Sequence, residues 1–165
     1  MQLPQDIEQA LRDIVLAREQ GHPLILKPTS TSFGAGLADL EADTVSLTPT
    51  FAAREAAFPR DRHDLALVID APDTLGRQQT HELLARLRNT QAAAVVAAFA
   101  RPETDNPSWG RGDFLALGFR QAAAARALAS PYWLYRYDIQ DYKLTPDWLS
   151  SRHWANPERW GKERW

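Results

Sequence analysis

The stretch HDLALVIDAPDTLGRQQTHELLARLRNTQAAAVVAAFA, residues 63–100, decides the fold. Asp64 to Ile69 is a near-continuous apolar run, which suits a central parallel strand covered on both faces. A loop with two aspartates follows, Asp70-Ala71-Pro72-Asp73-Thr74. Residues 76–89 then read as an amphipathic helix: Leu83, Leu84 and Leu87 share one face, and Gln78, Gln79, Glu82, Arg86 and Arg88 point mostly outward. Ala92 to Phe99 is a second buried strand. Its alanines would also suit a helix, but Val95-Val96 and the neighbouring turn signals favour a strand. Strand, helix and strand in that order predict a parallel sheet with helices packed on it, an α/β layout. Ligands of such sheets sit beyond the carboxyl ends of the strands. The Asp70 to Thr74 loop therefore marks the edge at which a function is to be sought.

Working outward, residues 5–20 predict a helix, with Ile7, Ala10, Leu11, Ile14 and Val15 at helical spacing and Gly21 as a stop. Leu24-Ile25-Leu26 is a short strand ended by Pro28, and Thr44-Val45-Ser46-Leu47 is another, punctuated by Pro49. The segment 29–42 between them is a loop with at most a helical turn near 37–42. Residues 50–57 predict a short helix, 101–112 a loop and Asp113 to Leu117 a short helix stopped at Gly118. Tyr132 to Ile139 alternates with period two, as an aromatic strand does.

At 165 residues, 44% apolar and 24% charged, the chain has the size and composition of one globular domain. Residues 1–144 form the expected α/β domain, and residues 145–165 a tryptophan-rich tail packed on it. There are no cysteines, which excludes disulfides and thiolate metal sites and fits a reducing cytoplasm. The net charge of −2, with no basic block, does not point to nucleic acid. No apolar run approaches the roughly 20 residues of a membrane helix. The opening MQLPQDIEQALRDI carries acids where a signal peptide would be basic and then apolar.

The order from residue 23 to about 139 resembles a shortened class I methyltransferase, the Rossmann-like fold that binds S-adenosylmethionine. DLALVIDAPDTL, the helix containing LLARLR and the strand after it carry the best match. DFLALGFRQAA followed by YWLYRYDI carries the second, where many family members have a short helix ending in Gly-Phe and then an antiparallel pair of strands. The whole chain, with its closing TPDWL, WANPERW and RW, also resembles a small bacterial family of undetermined function. The resemblance implies a Rossmann-like three-layer sandwich, mostly parallel, with an antiparallel C-terminal strand. It fails at the cofactor loop. That loop is normally an acid followed by closely spaced glycines, which let the backbone approach the cofactor. Here Lys27 and Pro28 stand in those places, Gly34 and Gly36 come late, and Leu47-Thr48-Pro49 replaces the acid expected at the end of the second strand.

Three sets of residues are candidates. Asp70 and Asp73 would line a cofactor cleft, Asp73 matching a position often acidic in the family; the competing and favoured role is that Asp73 or Thr74 caps the following helix. Ser30, Gly34 and Gly36, in the small-residue loop STSFGAG, would cradle an anion or the cofactor through backbone amides, although no companion lysine–serine pair or GxGxxG supports it. Trp148, Trp154, Trp160 and Trp165 are interleaved with Arg152, His153, Arg159, Lys162 and Arg164. They suit packing on the domain, or a partner surface rich in binding hot spots. Asp147, Glu158 and Glu163 offset much of that charge, which weakens a nucleic-acid reading. The four histidines show no ligand spacing, and there is no Gly-x-Ser-x-Gly elbow. The reading is a degenerate, non-catalytic methyltransferase-like domain that acts as an interaction or scaffold protein. It has no cofactor, no metal, no catalytic residue and a possible protein partner at the tail. The alternative is an S-adenosylmethionine-dependent methyltransferase with an atypical cofactor loop, residues 28–36 and 70–74 lining the cleft and Trp109 covering a substrate.

Overall fold

The structure is a computed structural model that describes residues 2–18, 22–52, 58–59, 61–101, 109–142 and 152. The elements run α1 (Gln5–Leu16), β1 (Leu24–Pro28), α2 (Ala35–Ala38), β2 (Asp43–Leu47), β3 (His63–Ile69), α3 (Ala71–Arg86), a π-helical turn (Leu87–Gln91) and β4 (Ala92–Ala100). They continue with α4 (Arg111–Ala116), β5 (Arg120–Gln121), a 3-10 helix (Ala123–Ala127), β6 (Tyr132–Asp138) and α5 (Ile139–Tyr142). Six strands form one sheet in the order β2-β1-β3-β4-β6-β5. The first four are parallel to their neighbours, and β6 is antiparallel to both β4 and β5. This is the α/β, Rossmann-like three-layer sandwich expected from the sequence, closed by the antiparallel pair.

Alternation along β3 and β4 sends side chains to two separate cores. Leu65, Leu67, Ile69, Ala94, Val96 and Ala98 meet Ile7 and Leu11 of α1 and Leu37 of α2. Ala66, Val68, Val95, Ala97 and Phe99 meet Leu83 and Leu84 of α3 and Phe114 of α4. Both faces are therefore covered, which is why these strands read as continuous apolar runs. The predicted apolar face Leu83, Leu84 and Leu87 has no solvent exposure. Each such leucine contributes roughly 2 kcal/mol of burial. On β6, Tyr135 and Tyr137 face the α3 side, where Tyr135 stacks on Phe114 with centroids 4.1 Å apart.

Two helix boundaries and one helix interior differ from the sequence reading. Helix α3 begins at Ala71, not 76, with Asp70 in the N-cap position. Pro72 in the first turn fits that start, because the helix needs no N–H from it. Gly76 then interrupts α3 with φ 72 and ψ 177, a conformation open to glycine, so α3 is two helical pieces joined across a kink. Helix α1 ends at Leu16, four residues short of the predicted end at 20. Of the helix expected over 50–57, residues 50–52 are not helical and 53–57 lie outside the described residues, as does the tail from 145 apart from residue 152. No described helix is long and apolar enough to cross a membrane.

Candidate functional site

The chain leaves β1 for β2 on one side of the sheet and leaves β3 for β4 on the other. The carboxyl ends of the adjacent strands β1 and β3 thus form the switch point at which ligands of such sheets bind. The loop Pro28 to Gly34 lies there, and so does the segment Asp70 to Thr74, now the N-cap and first turn of α3; both fall in the segments 28–36 and 70–74 that the sequence singles out.

The first loop is held by the protein itself. Thr31 is buried and donates its N–H to Pro28 O at 3.0 Å, and Lys27 Nζ donates to Thr31 O at 2.5 Å. The same ammonium lies 5.0 Å from the centre of the Phe33 ring, a cation–π contact. Ser32 O accepts the N–H of Leu3 at 3.2 Å, so the N-terminal strand residues run alongside the loop. Glu8 of α1, only 7% exposed, accepts the N–H of Leu37 through Oε1 at 3.1 Å. A Cβ added at Gly34 would lie 2.7 Å from Glu8 Oε2. Gly34 therefore permits close approach, but the group that approaches is the protein's own carboxylate. Ser30 is exposed at the turn, and Gly36 lies within α2.

The second loop is organised by Asp70, which is 3% exposed and has φ 42, the left-handed region that Asp tolerates better than most residues. Its Oδ1 accepts the N–H of Ala100 at 2.8 Å and its Oδ2 the hydroxyl of Tyr132 at 3.0 Å. Its own N–H donates to Ala98 O at 3.0 Å. One side chain thus ties the end of β3 to β4 and β6. Burial pushes the Asp70 carboxyl above its ordinary range, against the two bonds that favour its charge. Burial, and then the charge of Asp70, push the Tyr132 hydroxyl well above its ordinary value.

The favoured capping role for Asp73 or Thr74 does not hold. Asp70 occupies the N-cap position, no side chain caps the helix, and Asp73 lies exposed in the first turn. Asp73 and Asp70 border a cavity of about 20 Å³ with Pro72, Phe99, Trp109 and Trp133, room for one water molecule. Trp109 is 2% exposed, and its Nε1 has no partner among the described residues. Gly34, by contrast, borders a groove formed with Gln2, Gln5, Glu8 and Arg12. The two candidate loops meet at the switch point but line different spaces.

Trp148, Trp154, Trp160 and Trp165 lie outside the described residues. Sequence reading missed Glu8 and Tyr132, whose partners lie far along the chain. It also missed the convergence of His63 and His22 on Asp43, at 2.9 and 3.3 Å. Asp43 is held below its ordinary range chiefly by the bond to His63. Among the described residues, no three His, Cys, Asp or Glu converge to hold a metal ion.

Residues 5–165 match a family described as "Family of unknown function (DUF6231)", and the chain belongs to it. Curated proteins gave no match. Among solved structures, the chain is similar to an rRNA methylase from Escherichia coli, with 18% identity and a TM-score of 0.40. The match covers 78% of this chain and 61% of that one.

Proposed function

We propose that this family member is a methyltransferase-like domain that has lost methyl transfer and serves as an interaction or scaffold protein in the cytoplasm, with its partner engaged through Trp148, Trp154, Trp160 and Trp165. One observation carries the reading. The loop after β1, where a cofactor would lie, is closed by Lys27 on Thr31 and by Glu8 at Gly34 and Leu37. The Glu8 carboxylate fills the space beside Gly34 and leaves the backbone N–H of Leu37 already used. The tryptophan and arginine content of the tail supports a protein partner, because those residues carry much of interface energy. Thermal unfolding with S-adenosylhomocysteine tests the loss of the cofactor. A ligand that binds the folded state stabilises it by roughly 2.7 kcal/mol at a hundredfold excess over Kd. The reading expects an unchanged melting temperature, and a rise of several degrees refutes it.

The second reading, an S-adenosylmethionine-dependent methyltransferase, is favoured by the sheet order and by the acidic loop at the end of β3. In that case Ser30, Gly34, Gly36, Asp70 and Asp73 border the cofactor. Positioning donor and acceptor in line would supply most of the catalysis, so it needs no fixed catalytic set.

A further inference from the structure

A groove of about 460 Å³ lies at the outer edge of the sheet, within the ~300–1,000 Å³ range of small-molecule pockets. It is independent of the loops at the switch point and of the reading above. Arg120 of β5 and Arg136 of β6 sit in its wall, directly opposite each other in the strand register. Paired residues of neighbouring strands project to the same face, and like charges so placed repel. The other charges of this wall are already matched. Arg18 reaches Asp138 at 2.8 Å, and Arg136 pairs with Asp141. Arg120 is exposed and has no hydrogen bond or ion pair among the described residues. One positive charge is therefore left over in the groove, beside a second guanidinium.

Apart from Gln121, the uncharged side chains of the lining are apolar. Ile14 of α1 and the alanines 122–124 contribute to it. Leu115 lies at the rim and is 54% exposed, one of only two large hydrophobic side chains so exposed among the described residues. A guanidinium presents paired donors that match a carboxylate in two-point contact. We propose that this groove binds a small carboxylate with an apolar body, its head on Arg120 and its body along Leu115 and Ile14.

Octanoate is the probe, with acetate as the control for charge alone. Backbone amide shifts are followed by NMR during titration of the full chain, and calorimetry gives Kd. The expected result is saturable binding of octanoate that moves the amides of Phe119, Gln121 and Ala123, with acetate weaker by at least about tenfold. Arg120→Gln lowers octanoate affinity by about tenfold or more, the loss of one charge-assisted pair. Its melting temperature stays that of the wild type, because Arg120 is exposed. Leu115→Ser lowers octanoate affinity but not acetate affinity. Non-saturable shifts, or equal affinity for Arg120→Gln, overturn the proposal. So does an Arg120→Gln protein that self-associates through β5 while the wild type fails to bind octanoate, because Arg120 would then only guard an open strand edge.

Discussion

Replacing Asp70 with alanine tests the claim that this residue builds the strand ends. The substitution strands the N–H of Ala100 and the hydroxyl of Tyr132, which Asp70 accepts at 2.8 and 3.0 Å. Each stranded group costs roughly 1–3 kcal/mol where water cannot reach it. Alanine at φ 42 adds roughly 1 kcal/mol, because its Cβ crowds the left-handed conformation. Removing a buried carboxylate returns part of this, because the charge is itself penalised by burial. The net loss is about 3–4 kcal/mol, or a melting temperature lower by roughly 6–15 °C for a chain of this size. Asp70→Asn keeps an acceptor for Ala100 and a residue tolerant of positive φ, so it should lie within about 1 kcal/mol of wild type. Urea unfolding followed by circular dichroism, with the fluorescence of Trp109 and Trp133 as a second probe, gives the free energies. An Asp70→Ala protein that melts within 2 °C of wild type, taking ~1 kcal/mol as 2–4 °C, refutes the tie between β3, β4 and β6.

Other outcomes follow from the same structure. Leu84→Asp places an unpaired charge at a site with no exposure, and the loss should exceed the roughly 2–5 kcal/mol of a leucine-to-alanine change and unfold the domain; a soluble, cooperatively melting variant shows that the α3 face is wrongly assigned. Gly34→Ala destabilises the wild type, because its Cβ meets Glu8 Oε2, but costs less in a Glu8→Ala background; equal costs in the two backgrounds exclude the contact. The raised Asp70 means that the folded state holds its proton to higher pH than the unfolded chain. The contribution of this group is therefore favourable at low pH and is lost as pH rises through the folded-state value. Relative to Asp70→Asn, wild type should lose stability as pH is raised from about 4 towards neutrality, and a flat difference across that range contradicts the burial of the charge.

The elements most legible in the sequence are those whose pattern is local. The run from Asp64 to Ile69, the leucine face of α3 and the alternation of β6 each carry their own period, and all three lie where that period places them. The mostly parallel sheet then follows from the alternation of strands and helices. The site was legible only as an address. Asp70 stands out because it ends an apolar strand, but its partner Tyr132 lies on β6, and nothing in the intervening residues announces the bond. Glu8 is adjacent to the core residue Ile7, and its role depends on α2 packing against α1 through Leu37. The helix start was misplaced because Asp73-Thr74 is a good cap by composition, whereas Pro72 allowed α3 to begin one turn earlier. The two-residue β5 is too short to carry a period and exists through its pairing with β6.

The central claim is that the protein's own Glu8 and Lys27 close the place where a methyl donor would lie. Calorimetric titration of the purified full chain with S-adenosylmethionine and S-adenosylhomocysteine tests it most directly, with Glu8→Ala run in parallel. The account predicts no binding heat for wild type with ligand in the millimolar range, where a free energy of only about −4 kcal/mol would already be seen. Micromolar binding by wild type, unchanged in Glu8→Ala, contradicts it and makes the protein a cofactor-binding methyltransferase domain.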